Sequence, residues 1–358
     1  MTTVLESLNS GLHKAMRADS RVYILGEDVL DPYGGAFKVT RGLSTAFPKR
    51  VLTTPISEAG IVGVGSGMAL RGLRPVVEIM FGDFVTLIAD QVINHAAKFR
   101  YMYNEQVRVP LVIRTPMGGR RGYGPTHSQS LEKLFLGMPG LRIVAPTALG
   151  DPGELLAQSI LSTQDPLVFV ENKLLYLLPL QDADSLKEFN VEATGTSQDG
   201  TGLDGSGEGM GYPVYRLSLR GAPAPTLTLA AYGYMAELAR QAALRLAYEH
   251  EIFVELVVPT QIAPLEIESC LTSLRKTRRL VSIEEGSRPL GWGAELAALA
   301  VEALGPELLA VRRVAAQHTP IPASQPLETA MLPGVETIIQ AALQAAASHT
   351  YREPRHNP

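Results

Sequence analysis

Two kinds of hydrophobic pattern alternate along this chain, and their order restricts the folds that it can adopt. Short runs that are apolar at nearly every position predict strands buried on both faces, and the segments between them repeat apolar residues at helical spacing. Strands that alternate with helices in this way predict parallel sheets covered by helices. In the first half, strands are expected at Arg21–Leu25, Pro75–Met80, Val109–Arg114, Leu141–Ala145 and Leu167–Glu171, and helices at Glu58–Leu70, Phe84–Tyr101, Leu131–Leu136 and Asp151–Leu161.

The second half repeats the same pattern. Strands are expected at Thr226–Ala231, Ile252–Val258, Leu280–Glu284 and Leu308–Val314, and helices at Tyr234–Tyr248, Pro264–Leu274 and Gly293–Leu304. A chain of 358 residues is too long for one ordinary core and fits two. The segment Gly195–Gly211 contains seven glycines and is predicted to be a flexible domain boundary. We therefore expect two doubly wound α/β domains at 1–185 and 216–350, joined by a glycine-rich linker or insertion at 186–215.

Composition excludes several classes of function. With 46% hydrophobic and 19% charged residues, the chain is typical of a well-cored globular protein, and a net charge of −4 gives no sign of a nucleic-acid or anionic-membrane partner. The single cysteine, Cys270, excludes an internal disulfide and a four-cysteine metal site within this chain. Because the sequence has neither an 18-residue apolar run nor a basic segment followed by an apolar one, we expect no membrane span and a cytoplasmic location.

Three candidate site residues follow predicted strands, which is where open α/β sheets build their sites. Glu58 begins a predicted helix, and a carboxylate there commonly serves only the helix dipole. Phe84 fits either a core residue or a stacking platform. His127 lies in a long glycine-rich loop, which favours a chemical role over a packing role. The residues alone leave these alternatives open.

The helix predicted at Glu58–Leu70 is unusually rich in glycine, with Gly60, Gly63, Gly65 and Gly67. Glycine within a helix lowers its stability by roughly 0.5–1 kcal/mol relative to alanine. The simplest explanation is that a neighbouring backbone packs very close to this helix.

Several motifs occur in an order that is typical of one family. They are "TPISEAGIVGVGSGMALRGLRPVVEIMFGDF", "DQVINHAAKFRYM", "HSQSLEKLFLGMPGLRIVAP", "VFVENKLLY" and, in the second half, "VSIEEGSRPLGWGAELAA". In these motifs the chain resembles the β subunits of the E1 component of 2-oxo acid dehydrogenases, of the pyruvate and branched-chain types. The resemblance implies a transketolase-like pyrimidine-binding domain followed by a transketolase C-terminal domain.

The resemblance also implies roles for individual residues. Glu58 matches the glutamate that hydrogen-bonds to the pyrimidine ring of thiamine diphosphate and favours its imino tautomer. Phe84 matches the aromatic residue that stacks on this ring, and Ile56 matches the apolar residue that lines it. Met80 lies in the cofactor pocket where branched-chain members often have glutamine. His127 matches the histidine that contacts the substrate.

The same resemblance implies partners. This family group binds the diphosphate through Mg²⁺ with a Gly-Asp-Gly motif, which this chain lacks. The resemblance therefore implies that a separate α subunit holds Mg²⁺, that no metal ligand comes from this chain, and that the active form is an α2β2 heterotetramer. The acyl product would pass to the lipoyl group of an E2 acyltransferase. Some relatives bind K⁺ through backbone carbonyls near the segment Ile160–Asp165, and K⁺ binding here is left open.

Two other functions fit these motifs. An acetoin dehydrogenase β subunit has the same motifs, and a paralogue that acts only as a scaffold would retain the fold. The presence of Glu58, Phe84 and His127 together argues against the scaffold. The side chain of the 2-oxo acid is not predicted.

Overall fold

The first of two sheets is formed mainly by residues 22–172. A computed structural model describes residues 1–195 and 211–348 of the chain. The strands of the first half are, in chain order, β1 (Val22–Gly26), β2 (Val51–Thr53), β3 (Arg74–Glu78), β4 (Val112–Met117), β5 (Arg142–Val144) and β6 (Leu167–Asn172). The α-helices of this half are α1 (Val4–Ala18), α2 (Leu43–Ala46), α3 (Glu58–Leu70), α4 (Ala97–Met102) and α5 (Pro152–Ser162).

The second half forms a sheet of its own. Its strands are β7 (Phe189–Thr194), β8 (Val214–Leu219), β9 (Leu227–Ala231), β10 (Val254–Pro259), β12 (Arg279–Ser287) and β13 (Ala310–Ala316), and the short strand β11 (Gln261–Ala263) pairs with β5 of the first sheet. The helices are α6 (Tyr234–His250), α7 (Glu268–Thr277), α8 (Trp292–Leu304), α9 (Gln325–Met331) and α10 (Val335–Ala346).

The order of the strands in each sheet determines which strand ends lie next to one another. The first sheet has the order β11-β5-β6-β4-β3-β1-β2, and the strands from β5 to β2 in this order are parallel. The second sheet has the order β13-β12-β9-β10-β8-β7, in which β8 and β7 run antiparallel to their neighbours. The predicted fold of two α/β domains is confirmed. None of the described helices is long and apolar enough to cross a membrane.

The glycine-rich segment does not separate the two sheets. β7 and β8 pair antiparallel from Phe189 with Leu219 to Thr194 with Val214. The chain therefore enters the second sheet before the glycines, and the segment joins two strands of one sheet. The change from the first sheet to the second therefore occurs before Gly195. Residues 196–210 themselves lie outside the described part, so the expected boundary at Gly195–Gly211 is not tested. The bounds 1–185, 186–215 and 216–350 stay a prediction.

The helix predicted at Phe84–Tyr101 is three consecutive pieces. A 3₁₀ helix at Gly82–Ile88 is followed by a π-helical stretch at Gln91–Ala96 and then by α4. The buried residues are spaced as on one helix face, and they are Val85, Ile88, Val92, Ala96 and Ala97. Apolar periodicity predicts this buried face. It does not predict whether each backbone N–H bonds to the carbonyl three, four or five residues earlier, which distinguishes 3₁₀, α and π helices.

The helix predicted at Pro264–Leu274 begins later, at Glu268. The carboxylate of Glu266 accepts hydrogen bonds from the backbone N–H groups of Glu268 (2.7 Å) and Ser269 (3.3 Å), so it satisfies the donors of the first turn. Residues 264–267 form the turn between β11 (Gln261–Ala263) and the helix. A helical apolar pattern alone does not mark this start.

The glycines of α3 differ in their surroundings. A Cβ added to Gly65 would lie 2.9 Å from Val77 and 3.2 Å from Leu111, so glycine is required for close packing there. A Cβ added to Gly63 or Gly67 would have no atom of the described chain outside α3 within 4 Å. The expected close approach of a neighbouring backbone is therefore not made within the described residues, and this face of α3 is open.

Candidate active site

The candidate residues follow the carboxyl ends of adjacent parallel strands. β2, β1, β3 and β4 are neighbours in this order, so their carboxyl ends lie at one edge of the first sheet. Ligand sites of open α/β sheets form at such an edge. The residues that follow these strands are, in chain order, Glu27, Ile56, Glu58, Met80, Phe84 and His127.

Glu58 is the first residue of α3 and is only 7% exposed. Glu27, which follows β1, is equally buried, and its Oε1 has no hydrogen-bond partner among the described residues. Burial raises the pKa of Glu27, and the nearby charges of Glu58 and Asp28 raise it further. The raised pKa makes Glu27 easier to protonate than an ordinary glutamate. Glu27 was not among the predicted site residues, although the motif Gly26-Glu27-Asp28 directly follows a strand.

Three apolar residues follow strands at the same edge of the sheet as Glu27 and Glu58. Ile56 is 83% exposed, which is unusual for an aliphatic side chain next to a buried carboxylate. Met80 and Phe84 are half-buried. Phe84 lies on the 3₁₀ helix that follows β3, and its ring contacts Phe81 edge-on at 6.0 Å. This edge of the sheet therefore carries both apolar side chains and buried carboxyl groups.

His127 lies against the same aromatic side chains. Its ring centroid is 4.9 Å from that of Phe81 and 5.4 Å from that of Phe84, both edge-on. Its Nδ1 is 3.1 Å from the hydroxyl of Thr126. The structure therefore brings His127 and Phe84 together, with the imidazole half-exposed.

Lys173 lies beneath His127 and was not predicted. It is fully buried, and its ammonium group donates a hydrogen bond to the backbone carbonyl of His127. Its Nζ also lies 5.2 Å from the ring centroid of Phe81 and 5.3 Å from that of Tyr123. Burial lowers the pKa of Lys173 to about 8, against the opposing charges of nearby carboxylates. The sequence shows only a lysine directly after a strand, in "VFVENK", which does not by itself indicate a contact with His127.

A buried ionic network holds the strands under the site. Arg114 of β4 is 1% exposed and binds Glu171 of β6 through two hydrogen bonds, of 2.8 and 2.7 Å. It also binds Glu78 of β3 at 2.8 Å, and the hydroxyl of Tyr176 donates to Glu171 at 2.7 Å. Burial raises the pKa of Glu78 and Arg114 opposes this shift. The network connects β3, β4 and β6 directly below the ends that carry the candidate residues.

In the segment Ile160–Asp165, where K⁺ binding is left open, two backbone carbonyls accept hydrogen bonds from an arginine. The guanidinium of Arg74 donates to the backbone carbonyls of Ile160 (3.0 Å) and Thr163 (2.9 Å), so a cationic side chain already uses these oxygens. Within residues 1–195 and 211–348, no three His, Cys, Asp or Glu side chains come together as they would around a metal ion.

Comparison with known proteins gives the family. The family model "Transketolase, pyrimidine binding domain" matches residues 2–178, and "Transketolase, C-terminal domain" matches residues 219–338. The chain is 39% identical over 345 residues to a mitochondrial pyruvate dehydrogenase E1 component subunit beta-1 of Oryza sativa, covering 96% of this chain and 86% of the relative. The chain belongs to the transketolase-like family of E1 β subunits.

Other members of this E1 β family are named for different substrates. A pyruvate dehydrogenase E1 component subunit beta-1 of Arabidopsis thaliana is 36% identical, covering 96% of this chain and 89% of the relative. The β subunit of an acetoin:2,6-dichlorophenolindophenol oxidoreductase of Bacillus subtilis is 34% identical and covers 95% of both chains. A split-gene transketolase solved as an inactive β4 tetramer shares the fold, with a TM-score of 0.69 and 18% identity over 97% of this chain and 99% of that one.

Proposed function

We propose that this chain is the β subunit of a thiamine-diphosphate-dependent 2-oxo acid dehydrogenase. Together with an α subunit it would decarboxylate a 2-oxo acid oxidatively and pass the acyl group to the lipoyl group of an E2 acyltransferase. The observation that carries the proposal is that Glu58, Phe84 and His127 all follow carboxyl ends at one edge of the first sheet, with the ring of Phe84 against His127, in a chain of the E1 β family.

The residues of this edge fit the pyrimidine half of the cofactor. Glu58 would bind the ring nitrogen, Phe84 would stack on the ring, and Ile56 and Met80 would cover its apolar sides. Bound thiamine diphosphate supplies the nucleophilic carbon and the electron sink for decarboxylation. The exposed side chain of Ile56 and the unpartnered oxygen of Glu27 are both consistent with a surface that a ring and a partner chain would cover.

His127 would act on the substrate rather than on the cofactor ring. Its imidazole is half-exposed and is held edge-on by Phe81 and Phe84, so it can hydrogen-bond to a carboxylate or move a proton at the reacting oxygen. The aromatic side chains around it exclude water from one side.

An open apolar surface supports a partner subunit. Besides the open face of α3 at Gly63 and Gly67, large apolar side chains are exposed next to α3, on α3 and on the helical segments that follow β3. They are Ile56, Val64, Leu87, Tyr101 and Met102. Isolated chains rarely expose so many large apolar side chains together. We propose that an α subunit and a second β subunit cover them in an α2β2 assembly, with Mg²⁺ and the diphosphate held by the α subunit.

Reconstitution tests the proposal. The chain would be purified alone and together with a Gly-Asp-Gly α chain, and thiamine diphosphate binding would be measured by calorimetry with and without Mg²⁺. We expect weak binding and no turnover by the isolated chain, and tight binding and decarboxylation of a 2-oxo acid by the complex. Tight Mg²⁺-dependent binding by the isolated chain would contradict the proposed division of the site.

A second candidate function is that of an acetoin dehydrogenase β subunit. The Bacillus subtilis relative, which is named for acetoin, matches over 95% of both chains. The reconstituted complex would be assayed with pyruvate, branched-chain 2-oxo acids and acetoin under the same conditions. Turnover of acetoin alone would favour this candidate. A cytoplasmic location remains part of our proposal, and cell fractionation tests it.

A further inference from the structure

The loop that carries His127 is held by carboxylates from the other half of the chain. This loop, residues 118–130, leaves β4 of the first sheet, whereas Glu328 lies on α9 after the second sheet. We propose that Glu328 is a positioning residue, which sets the place of His127 by binding the backbone of this loop. The inference rests on the role proposed above for His127.

The backbone of the loop is shaped to bind anions. The φ angle is positive at every second residue, at Gly118 (+97°), Arg120 (+68°), Gly122 (+70°) and Gly124 (+76°). Alternation of this kind turns neighbouring N–H groups towards a common centre and forms a nest for a negative charge. Arg120 is a non-glycine residue in the left-handed region, which is uncommon and indicates that its surroundings hold it there.

Two buried carboxylates fill this nest. The N–H of Arg120 donates to Oε1 of Glu328 (2.6 Å), and the N–H of Gly122 donates to Oε2 of the same group (3.1 Å). The N–H of Gly119 donates to Oε1 of Glu285 (2.7 Å). Glu328 is only 1% exposed, so these backbone N–H groups take the place of water around its carboxylate.

The chemistry requires a carboxylate at position 328. Both of its oxygens accept from different N–H groups of the loop, and a carboxylate can do this because it carries no hydrogen. Glutamine has the same length but only one acceptor, so its NH₂ would face one of the two backbone N–H groups. A buried N–H group without an acceptor destabilises the folded state by about 1–3 kcal/mol. We expect this cost to move that part of the loop away from Glu328.

Further hydrogen bonds fix the loop at His127 and just after it. Beyond the histidine, the N–H and the side-chain amide of Gln129 donate to Oδ1 of Asp83, at 3.2 and 2.9 Å. Lys173 donates to the carbonyl of His127 itself. The loop is therefore held on both sides of His127, by Glu328 before it and by Asp83 after it. Release of one side leaves the imidazole free to shift against the aromatic rings.

The test compares Glu328→Gln with Glu302→Gln in the reconstituted α–β complex. Glu302 is exposed on α8 and provides the same change of charge away from the loop. We expect Glu328→Gln to lower kcat roughly 10- to 100-fold, since displacement by about 1 Å costs this much, while the KM for thiamine diphosphate stays unchanged. In a His127→Ala background the same substitution should have no further effect. An equal loss with and without His127 would overturn the proposal, because Glu328 would then act by another route.

Trypsin provides a readout that does not depend on activity. Arg120 and Arg121 lie in the loop and are half-buried, so cleavage after them reports its release. We expect Glu328→Gln to speed cleavage at these two sites selectively, and Glu328→Asp, which keeps both oxygens, to retain more activity than Glu328→Gln. Unchanged cleavage, or a Gln variant that outperforms Asp, would overturn the proposal. If no complex turns over any 2-oxo acid or acetoin, the proposed function fails, and the cleavage rates still decide whether Glu328 holds the loop.

Discussion

The buried ammonium group of Lys173 donates a hydrogen bond to the backbone carbonyl of His127. Lys173 directly follows β6, and His127 lies in the loop after β4, so the contact joins the ends of two neighbouring strands of the first sheet. This contact fixes the backbone of the histidine without touching its imidazole. The imidazole therefore stays available for substrate.

Replacement of Lys173 by methionine should change how stability depends on pH. Burial lowers the pKa of Lys173 from 10.5 to about 8, so the folded chain releases this proton at a lower pH than the unfolded chain. The wild-type free energy of unfolding should therefore rise, relative to Lys173→Met, as the pH increases from about 8 to about 10. Urea denaturation of both proteins at pH 7.5 and 9.5 measures this difference. A difference that does not change with pH would show that Lys173 has an ordinary pKa.

His127→Ala should spare cofactor binding and slow turnover. A positioned acid–base group contributes about 10²–10⁴-fold to the rate, and the imidazole faces the site rather than the core. Steady-state kinetics of the assembled complex, together with calorimetric titration of thiamine diphosphate, separate the two effects. His95→Ala is a suitable control because His95 is exposed on the π-helical stretch. Parental turnover by His127→Ala would remove this residue from the proposed site.

Arg114→Met should destabilise the first sheet strongly. The substitution leaves the carboxylates of Glu78 and Glu171 buried without their cation, and breaking a buried pair in this way costs about 3–5 kcal/mol. Chemical denaturation measures the loss. Arg245→Met, which removes an exposed arginine paired with Glu249 and Glu336, should change stability little by comparison. Similar losses for the two variants would argue against a structural role for the buried network.

Local sequence pattern predicted the helices and strands that carry the candidate residues well. The helix expected at Glu58–Leu70 has these bounds in the structure. Strands are also found before Phe84 and before His127, and these two strands, β3 and β4, are parallel neighbours. These features depend on apolar periodicity and on turn residues, which are local properties of the chain.

Contacts between distant segments could not be predicted in this way. No local pattern indicates that Glu328 binds the backbone of Arg120, or that β11 of the second half pairs with β5 of the first sheet. In the sequence, Lys173 is a charged residue at the end of a strand. Only the tertiary structure shows its hydrogen bond to the backbone carbonyl of His127. The mixed helical types between Gly82 and Met102 were missed because periodicity does not distinguish hydrogen-bond rings of different size.

Hydrogen–deuterium exchange at C2 of thiamine diphosphate in the assembled complex tests the central claim most directly. Glu58→Gln keeps the length of the side chain and can still hydrogen-bond, but it cannot share a proton with the pyrimidine ring. We predict that the variant binds the cofactor with modest loss, because the diphosphate is assigned to the α subunit, and that C2 exchange becomes far slower than in the wild type. Equal exchange rates in the two proteins would contradict the account and leave Glu58 as a residue that only supports the start of α3.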